Sequence, residues 1–440
     1  MVSEARFKKT EIGMLPYDWK VTNIKSVADK KQEHSFIDGD WIEAKYIENQ
    51  GIRLIQTGNI GIGHFIDKES KKYISEKTFK ELNCKEVKPG DILICRLASP
   101  IGRACIAPDL GTKAITAVDV VILKVDEKEY SREYINYYLN FGKTLQRMES
   151  LSSGSTRQRI SRTNLGNVLI AIPPLSEQRK IAAILSSVDE AIEKTEAIIE
   201  QTEKVKKGLM QQLLTKGIGH TKFKKTEIGE IPEEWEVKTL GELLKLKGGF
   251  AFKSSDFVEK GDIPVLRISN IKNNYIDLSD AVYVTNEVAN SLNEYLLREN
   301  DIVIAMSGAT TGKIGRIEKK DIPVLLNQRV GLFKIYQEST LSNDFLYYFA
   351  QSKHFQSSVG LNAIGGAQPN ISGKQIESVK IGLPSFEEQQ QISLILSNID
   401  KKLANEEQRL IQFQAIKKGL MQVLLTGKVR VKVDDEVVSS

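Results

Sequence analysis

Cysteine and histidine are scarce in this chain, with three cysteines (Cys84, Cys95, Cys105) and four histidines (His34, His64, His220, His354) in 440 residues. An odd number of cysteines lying within apolar patches argues against a disulfide framework and predicts reduced core thiols. None of the histidines is spaced with cysteine or carboxylates as a metal site requires. No apolar run reaches the roughly 18 residues of a membrane span, and the opening MVSEARFKKTEIG lacks the apolar stretch of a secretory signal, so a soluble, cytoplasmic protein is expected. A large surplus of one charge is missing too: 62 Lys and Arg against 57 Asp and Glu leave +5, too little for a histone-like polycation. Hydrophobic residues at 41% and charged residues at 27% are ordinary globular values, which excludes wholesale disorder and fibrous structure. The length suits two to four domains.

The common catalytic signatures are also absent. Ser307 to Gly315 (SGATTGKIG) resembles a phosphate loop, but Ser307 stands where its first glycine belongs and Ile314 replaces the hydroxyl residue that would hold magnesium; a turn is the better reading. Ala171-Ile172-Pro173-Pro174-Leu175 lacks both the amide and the aromatic of an amino-methyltransferase element. Glu43-Ala44-Lys45 after Asp38 and Asp40 suggests nuclease carboxylates only weakly, since the second half of the chain has no counterpart. No glycine-rich dinucleotide fingerprint follows a strand. A non-catalytic protein is expected.

What is present is a duplication. FKKTEIGMLPYDWKVTNI from Phe7 recurs as FKKTEIGEIPEEWEVKTL from Phe223, identical at 10 of 18 positions. From about residue 54 the offset settles near 211, aligning Gln56-Thr57-Gly58-Asn59-Ile60 with Arg267-Ile268-Ser269-Asn270-Ile271 and GSTRQRIS (154–161) with GGAQPNIS (365–372). Residues 168–215 then match 379–426 at 21 of 48 positions. The order is variable domain, helix, variable domain, helix. The charge excess lies wholly in residues 1–175, with 27 basic against 22 acidic side chains, compatible with an acidic partner such as nucleic acid.

In the first helical part Ile181, Leu185, Val188, Ile192, Thr195, Ile199, Thr202, Lys206, Leu209 and Leu213 step by fours and threes, a coiled-coil seam. The second repeats it as Ile392, Leu396, Ile399, Leu403, Glu406, Leu410, Phe413, Lys417, Leu420 and Leu424. Each helix follows a proline, Pro174 or Pro384, with Ser385 and Glu388 at capping-box spacing, and ends at Gly217 or Gly427. Some 39 residues at ~1.5 Å each make a rod of roughly 58 Å that needs a partner, and the chain offers its own second copy. The polar residues in mid-seam either specify register, contact an additional protein, or lie in a solvated stretch. Gly208 and Gly419, repeated within Lys-Lys-Gly-Leu-Met-Gln, predict close helix packing or a break. In the variable halves, 91–94, 301–304, 118–125 and 330–335 read as strands, and 134–145 and 345–355 as short helices, giving an α+β domain twice.

Two diverged halves separated by near-identical helices carrying PLSEQRKIAAIL and GLMQQLL, the FKKTEIG…IP…W opening and the GSTRQRIS element together resemble the specificity subunit of type I restriction-modification systems across essentially the whole chain. That resemblance implies two similar target recognition domains (1–175 and 218–386), spacer helices (176–217 and 387–427) that pair antiparallel as an intramolecular coiled coil with pseudo-two-fold symmetry, and a tail (428–440). It implies double-stranded DNA as partner, each domain reading half of an interrupted target. It also implies two modification subunits supplying S-adenosylmethionine-dependent methyl transfer and separate restriction subunits using ATP and magnesium, with no cofactor on this chain. Bases are read most readily by arginine on guanine and by asparagine or glutamine on adenine, from loops beside strands. The candidates are Arg96, Ser99, Arg103, Arg157, Gln158 and Arg159 in the first half, and Ser307, Thr310, Thr311, Lys313, Gln328, Arg329, Gln368 and Asn370 in the second. Preference should arise where the halves differ, as in Arg157-Gln158-Arg159 against Gln368-Pro369-Asn370. Two other readings stand beside it: a coiled-coil scaffold for other proteins without DNA specificity, and an autonomous methyltransferase, which would have to bind S-adenosylmethionine alone.

Overall fold

The computed structural model describes residues 7–154, 157–259, 261–362 and 369–432. They form two compact units, one of residues up to Glu196 together with those from Arg409 onward, the other Ala197–Gln408. Each unit is a mixed α+β domain plus the near half of one long helix and the far half of the other.

In the first unit, Phe36–Asp38, Val120–Leu123, Ile92–Cys95 and Ala104–Ile106 pair in that order as an antiparallel sheet. The runs ILIC and VVIL are apolar at every position because this sheet is covered on both faces. Ile92, Ile94, Val121 and Leu123 join the core beside the helices, whereas Leu93, Cys95, Val120 and Ile122 join a second core with Ile55 and Ile60. Against that second core lies a three-stranded sheet ordered Lys72–Ile74, Ile52–Ile55, Ala114–Thr116, the last pair parallel. The second unit repeats both sheets with Leu244–Gly248, Val330–Ile335, Ile302–Ala305 and Ile314–Arg316, and with Val282–Val284, Ile263–Leu266 and Leu325–Leu326. All three cysteines are buried and free. Where one helix is expected over 134–145, two occur, Arg132–Leu139 and Gly142–Ser150. The break falls at Asn140, whose side-chain amide turns away to bond both N and O of Ala104 at 3.0 and 2.9 Å. Its counterpart likewise divides into Asn343–Gln351 and Lys353–Asn362.

The long helices run Leu175–Lys216 and Phe386–Leu424. Both close on a left-handed glycine, Gly217 at φ 64° and Gly427 at φ 66°. A Cβ there would strike Glu388 Oε1 at 2.3 Å and Trp235 at 2.8 Å, or Pro16 at 2.5 Å, so glycine is required twice over. Every seam position is buried or half-buried. In the first unit Ile181 and Leu185 share a core with Leu424 and Leu425; in the second Leu213 and Leu214 share one with Ile392 and Leu396. Within each unit the two helix segments therefore run antiparallel.

The seam lysines set this register. Lys417 Nζ lies 2.5 Å from Asp189 Oδ1, and Asp189 also accepts from the Tyr137 hydroxyl at 2.7 Å. In the other unit Lys206 Nζ lies 2.5 Å from Asp400 Oδ1, which accepts from Tyr348 at 2.8 Å. Each trio ties one helix to the other and both to the domain beside them. Thr195 and Thr202 are buried, each donating back to the carbonyl four residues before it at 2.7 Å. Gly208 and Gly419 contradict the expectation of close packing or a break: both helices continue through them and a Cβ at either would meet nothing within 4 Å.

The repeated Glu-Gln pair at each helix entry locks helix to domain. Gln178 accepts from Ser131 N at 2.9 Å and donates to Pro173 O at 2.9 Å; Gln389 does the same with Ser342 N and Pro384 O at 2.8 and 3.0 Å. Glu177 accepts from the buried Trp19 indole at 3.1 Å and from Arg430, which also chelates Asp18. Glu388 accepts from the Trp235 indole, Ile218 N and His220, all at 2.9 Å. Only half of the expected capping box forms: Glu388 N donates to Ser385 Oγ at 3.3 Å, while its carboxylate faces tryptophan and histidine instead of the cap. The further partner differs between units, arginine in one and histidine in the other.

Candidate nucleic-acid interface

In the first unit the end of strand Ile92–Cys95 runs into a loop that is stitched to two other segments. Leu97 bridges Arg159, Ala98 N donates to Gln158 O at 3.2 Å, and Arg96 N donates to Asp119 O at 2.8 Å. Three segments, 96–103, 117–119 and 157–160, thus meet at one end of the two central strands of the four-stranded sheet. In the second unit Ser307 bridges Asn370, Gly308 N donates to Pro369 O at 2.9 Å, and Met306 N donates to Arg329 O at 3.0 Å. The same three-loop platform is built twice from different side chains.

The candidates divide by exposure. Arg96 is 4% exposed: its guanidinium donates to Ile160 O at 3.1 Å and Val118 O at 3.0 Å and pairs with Asp38 at 2.9 Å. Burial pulls its pKa down, against the opposing pull of Asp38. Arg103 is half-buried and donates to Ile60 O at 2.8 Å, Thr57 O at 3.0 Å and Ala98 O at 2.9 Å, cinching its loop to the 57–59 turn. Both are expected from the sequence to read bases; instead the Arg96 guanidinium is turned to interior carbonyls, and that of Arg103 is engaged by loop carbonyls. A polar residue in a strand-to-loop sequence does not reveal that its partners are interior carbonyls. Ser307 is buried, and Thr310, Thr311 and Lys313 are half-buried; the Thr311 hydroxyl donates to Gly308 O and Pro369 O at 2.7 and 3.1 Å. As expected, the chain turns here, through a short 3-10 segment at Gly308–Thr310, before entering the strand Ile314–Arg316.

Ser99, Arg157, Gln158 and Arg159 are exposed, as are Gln328, Arg329 and Asn370; Gln368 lies outside the described residues. Arg159 pairs with Asp119 at 2.8 Å, and Arg162, missed by the sequence reading, with Asp38 at 3.6 Å. Three exposed arginines, Arg157, Arg159 and Arg162, therefore sit on one six-residue stretch of the first unit. The matching stretch of the second unit offers Asn370 and no arginine. The first platform carries three exposed arginines beside Gln158, and the second carries one, Arg329, beside Gln328 and Asn370, so the donor sets offered to base edges differ between the copies.

The shared asparagines serve the backbone. Asn59 Oδ1 accepts from Gln56 N at 2.9 Å, and Asn270 Oδ1 from Arg267 N at 3.0 Å, both side chains buried. The carboxylates of the weak nuclease motif are engaged as well: Asp40 is buried against Lys85 N and Nζ at 2.8 and 2.6 Å, and Glu43 pairs with Lys45. Among the described residues no group of three or more metal-ligating side chains occurs, and no helix is long and apolar enough to cross a membrane.

Residues 16–204 and 232–415 match the family model of the type I restriction modification DNA specificity domain. The chain belongs to that family. It is 32% identical to the type I restriction enzyme MjaVIII specificity subunit of Methanocaldococcus jannaschii, over 98% of this chain and 97% of that one. A putative type I restriction enzyme specificity subunit of the same organism, MjaX, is 29% identical over 98% of each. In fold it is similar to a type I restriction-modification S subunit from M. genitalium, with TM-score 0.58 at 20% identity, covering 92% of this chain and 96% of that one. The duplicated α+β domains and the long helices after each are thus those of a specificity subunit with two target recognition domains. DNA sequence specificity is supported, and the scaffold alternative is set aside.

Proposed function

We propose that this chain is the non-catalytic, address-giving subunit of a type I restriction-modification complex, each platform reading one half of an interrupted duplex target. The readers are the domains 1–175 and 218–386, followed by the helical spacers 176–217 and 387–427 and the tail 428–440. The observation that carries this reading is the twofold occurrence of one loop platform whose exposed side chains differ between copies. Among the candidates, Arg157, Arg159, Gln158 and Ser99 read or position the first half-site, and Gln328, Arg329, Asn370 and Gln368 the second. Arg96, Arg103, Ser307 and Thr311 hold the platforms in shape, and Thr310 and Lys313, half-buried on the second platform, contact DNA beside the second half-site.

The helices fix the gap between readers and dock two modification subunits, which bring S-adenosylmethionine. Restriction subunits bring ATP and magnesium, and the complex works in the cytoplasm. Half-sites on one face of a duplex are about 34–36 Å apart or multiples of that, and helices of 42 and 39 residues, ~63 and ~58 Å at ~1.5 Å per residue, are long enough to span such a gap. Binding of the chain with its modification subunit to duplexes carrying the target tests this. Affinity falls steeply with salt, and scrambling either half-site abolishes the preference. Indifference to both salt and sequence refutes it. Titration of the chain alone with S-adenosylmethionine gives no binding; a saturable signal would restore the methyltransferase reading.

A further inference from the structure

We propose that Trp41 is a sequence-reading residue of the first domain, an apolar contact made to the duplex beside the arginine-bearing loop. The inference rests on the DNA-reading function given above. The chain has three tryptophans, of which Trp19 and Trp235 are 0% and 1% exposed and Trp41 is 74% exposed. A large aromatic left in water is not in itself a site. Its setting is what argues for one.

The backbone under Trp41 is fixed. Gly39 lies so close to the 116–117 backbone that a Cβ there would stand 2.3 Å from Thr116 O and 2.4 Å from Ala117 O. Asp40 N donates to Thr116 O at 2.8 Å, and the buried Asp40 carboxylate is held by Lys85. Ile42, on the other side, packs against the core that contains Ile52 and Leu54. With Asp40 and Ile42 both turned inward, the extended chain presents the indole outward. A rigid element displays it, so little conformational freedom is lost on contact.

That element borders the platform. Asp38, three residues before Trp41, pairs with Arg162, and Asp40 bridges Ala117, two residues from the Asp119 that pairs with Arg159. An exposed aromatic on the segment whose Asp38 holds Arg162 supplies, with the arginines of the platform, the two features that nucleic-acid surfaces use, phosphate-binding charge and an apolar face for a thymine methyl or an opened base step. The second domain keeps the supporting geometry without the ring. Gly249 makes the same approach, at 2.3 and 2.4 Å from Leu326 O and Asn327 O, and Phe250 bridges Asn327 as Asp40 bridges Ala117. The residue following is Ala251. A platform feature present in one reader and absent from the other is where a difference between half-sites arises.

Hydroxyl-radical footprinting of the chain assembled with its modification subunit tests the proposal, read at each tryptophan by mass spectrometry. The samples hold no DNA, the cognate duplex, or the duplex with its first half-site scrambled. Oxidation of Trp41 falls several-fold with cognate DNA alone, while Trp19 and Trp235 stay unreactive throughout. Trp41→Ala weakens cognate binding about tenfold or more, Trp41→Phe recovers most of it, and the melting temperature of neither variant changes. Unchanged Trp41 oxidation in a complex that discriminates the cognate duplex overturns the proposal and leaves the DNA-reading function standing. Protection by the modification subunit before DNA is added makes the surface a protein contact and overturns it as well. A complex without any sequence preference overturns both.

Discussion

Replacing Asp189 by alanine removes the centre of the trio that pins the first unit's two helix segments. The change strands Lys417 and the Tyr137 hydroxyl, which lie 2.5 and 2.7 Å from the carboxylate. Lysine and aspartate are each 27% exposed, so their attraction exceeds that of a fully solvated pair. Adding roughly 1 kcal/mol for the ion pair to about 1–1.5 kcal/mol for a charge-assisted phenol hydrogen bond gives a loss of about 2 kcal/mol. In a unit of some 200 residues this lowers the melting transition by about 4–8 °C. Calorimetry of the full chain reads it, and a double-mutant cycle with Lys417→Ala isolates the pair, with a coupling of at least about 0.5 kcal/mol. Asp400→Ala acts in the same way on the other unit, and its effect adds to that of Asp189→Ala. A coupling below about 0.3 kcal/mol between Asp189 and Lys417 would refute the claim that the seam lysines fix register.

Arg96→Ala, which uncovers Asp38 and two carbonyls in the interior, destabilises the first unit by about 3 kcal/mol or more; Arg157→Ala leaves the melting temperature unchanged and weakens cognate DNA binding. Burial raises the thiol pKa of Cys84 to about 11 and of Cys105 to about 12, so a thiol reagent at pH 8 labels the native chain slowly and all three cysteines once it is unfolded. Burial raises the Asp18 carboxyl, but the hydrogen bonds and charge of Arg430 outweigh it and hold the pKa below the usual carboxylate range. Because the folded value is the depressed one, the stabilisation is present at neutral pH and is lost as pH falls below about 4. Arg430→Met therefore lowers the first unit's melting temperature at pH 7, and the difference from the unsubstituted chain narrows toward pH 3.

The long helices were legible because a seam of fours and threes repeated at one offset has no other regular interpretation, and proline and glycine mark their ends. The two central strands of each four-stranded sheet were legible because strands covered on both faces must be apolar throughout, as in Ile92–Cys95 and Val120–Leu123. What the lysines in the seam do was not legible. Their partners Asp189 and Asp400 lie on the opposite helix, at a distance in sequence that periodicity does not connect. The interface was half legible for the same reason. A loop arginine reads alike whether it faces interior carbonyls, as Arg96 does, or solvent, as Arg157 does. Trp41 carried a signal that went unused: a lone aromatic within the charged run DGDWIEAK, in the half that holds all the excess positive charge.

The most direct test of the central claim maps adenine methylation across the genome of a host expressing this chain with its modification subunit, then with residues 218–386 exchanged for the corresponding domain of a relative. A two-part interrupted motif is expected, and the exchange alters one part while the gap and the other part persist. A contiguous motif, or a motif unchanged by the exchange, would contradict the account.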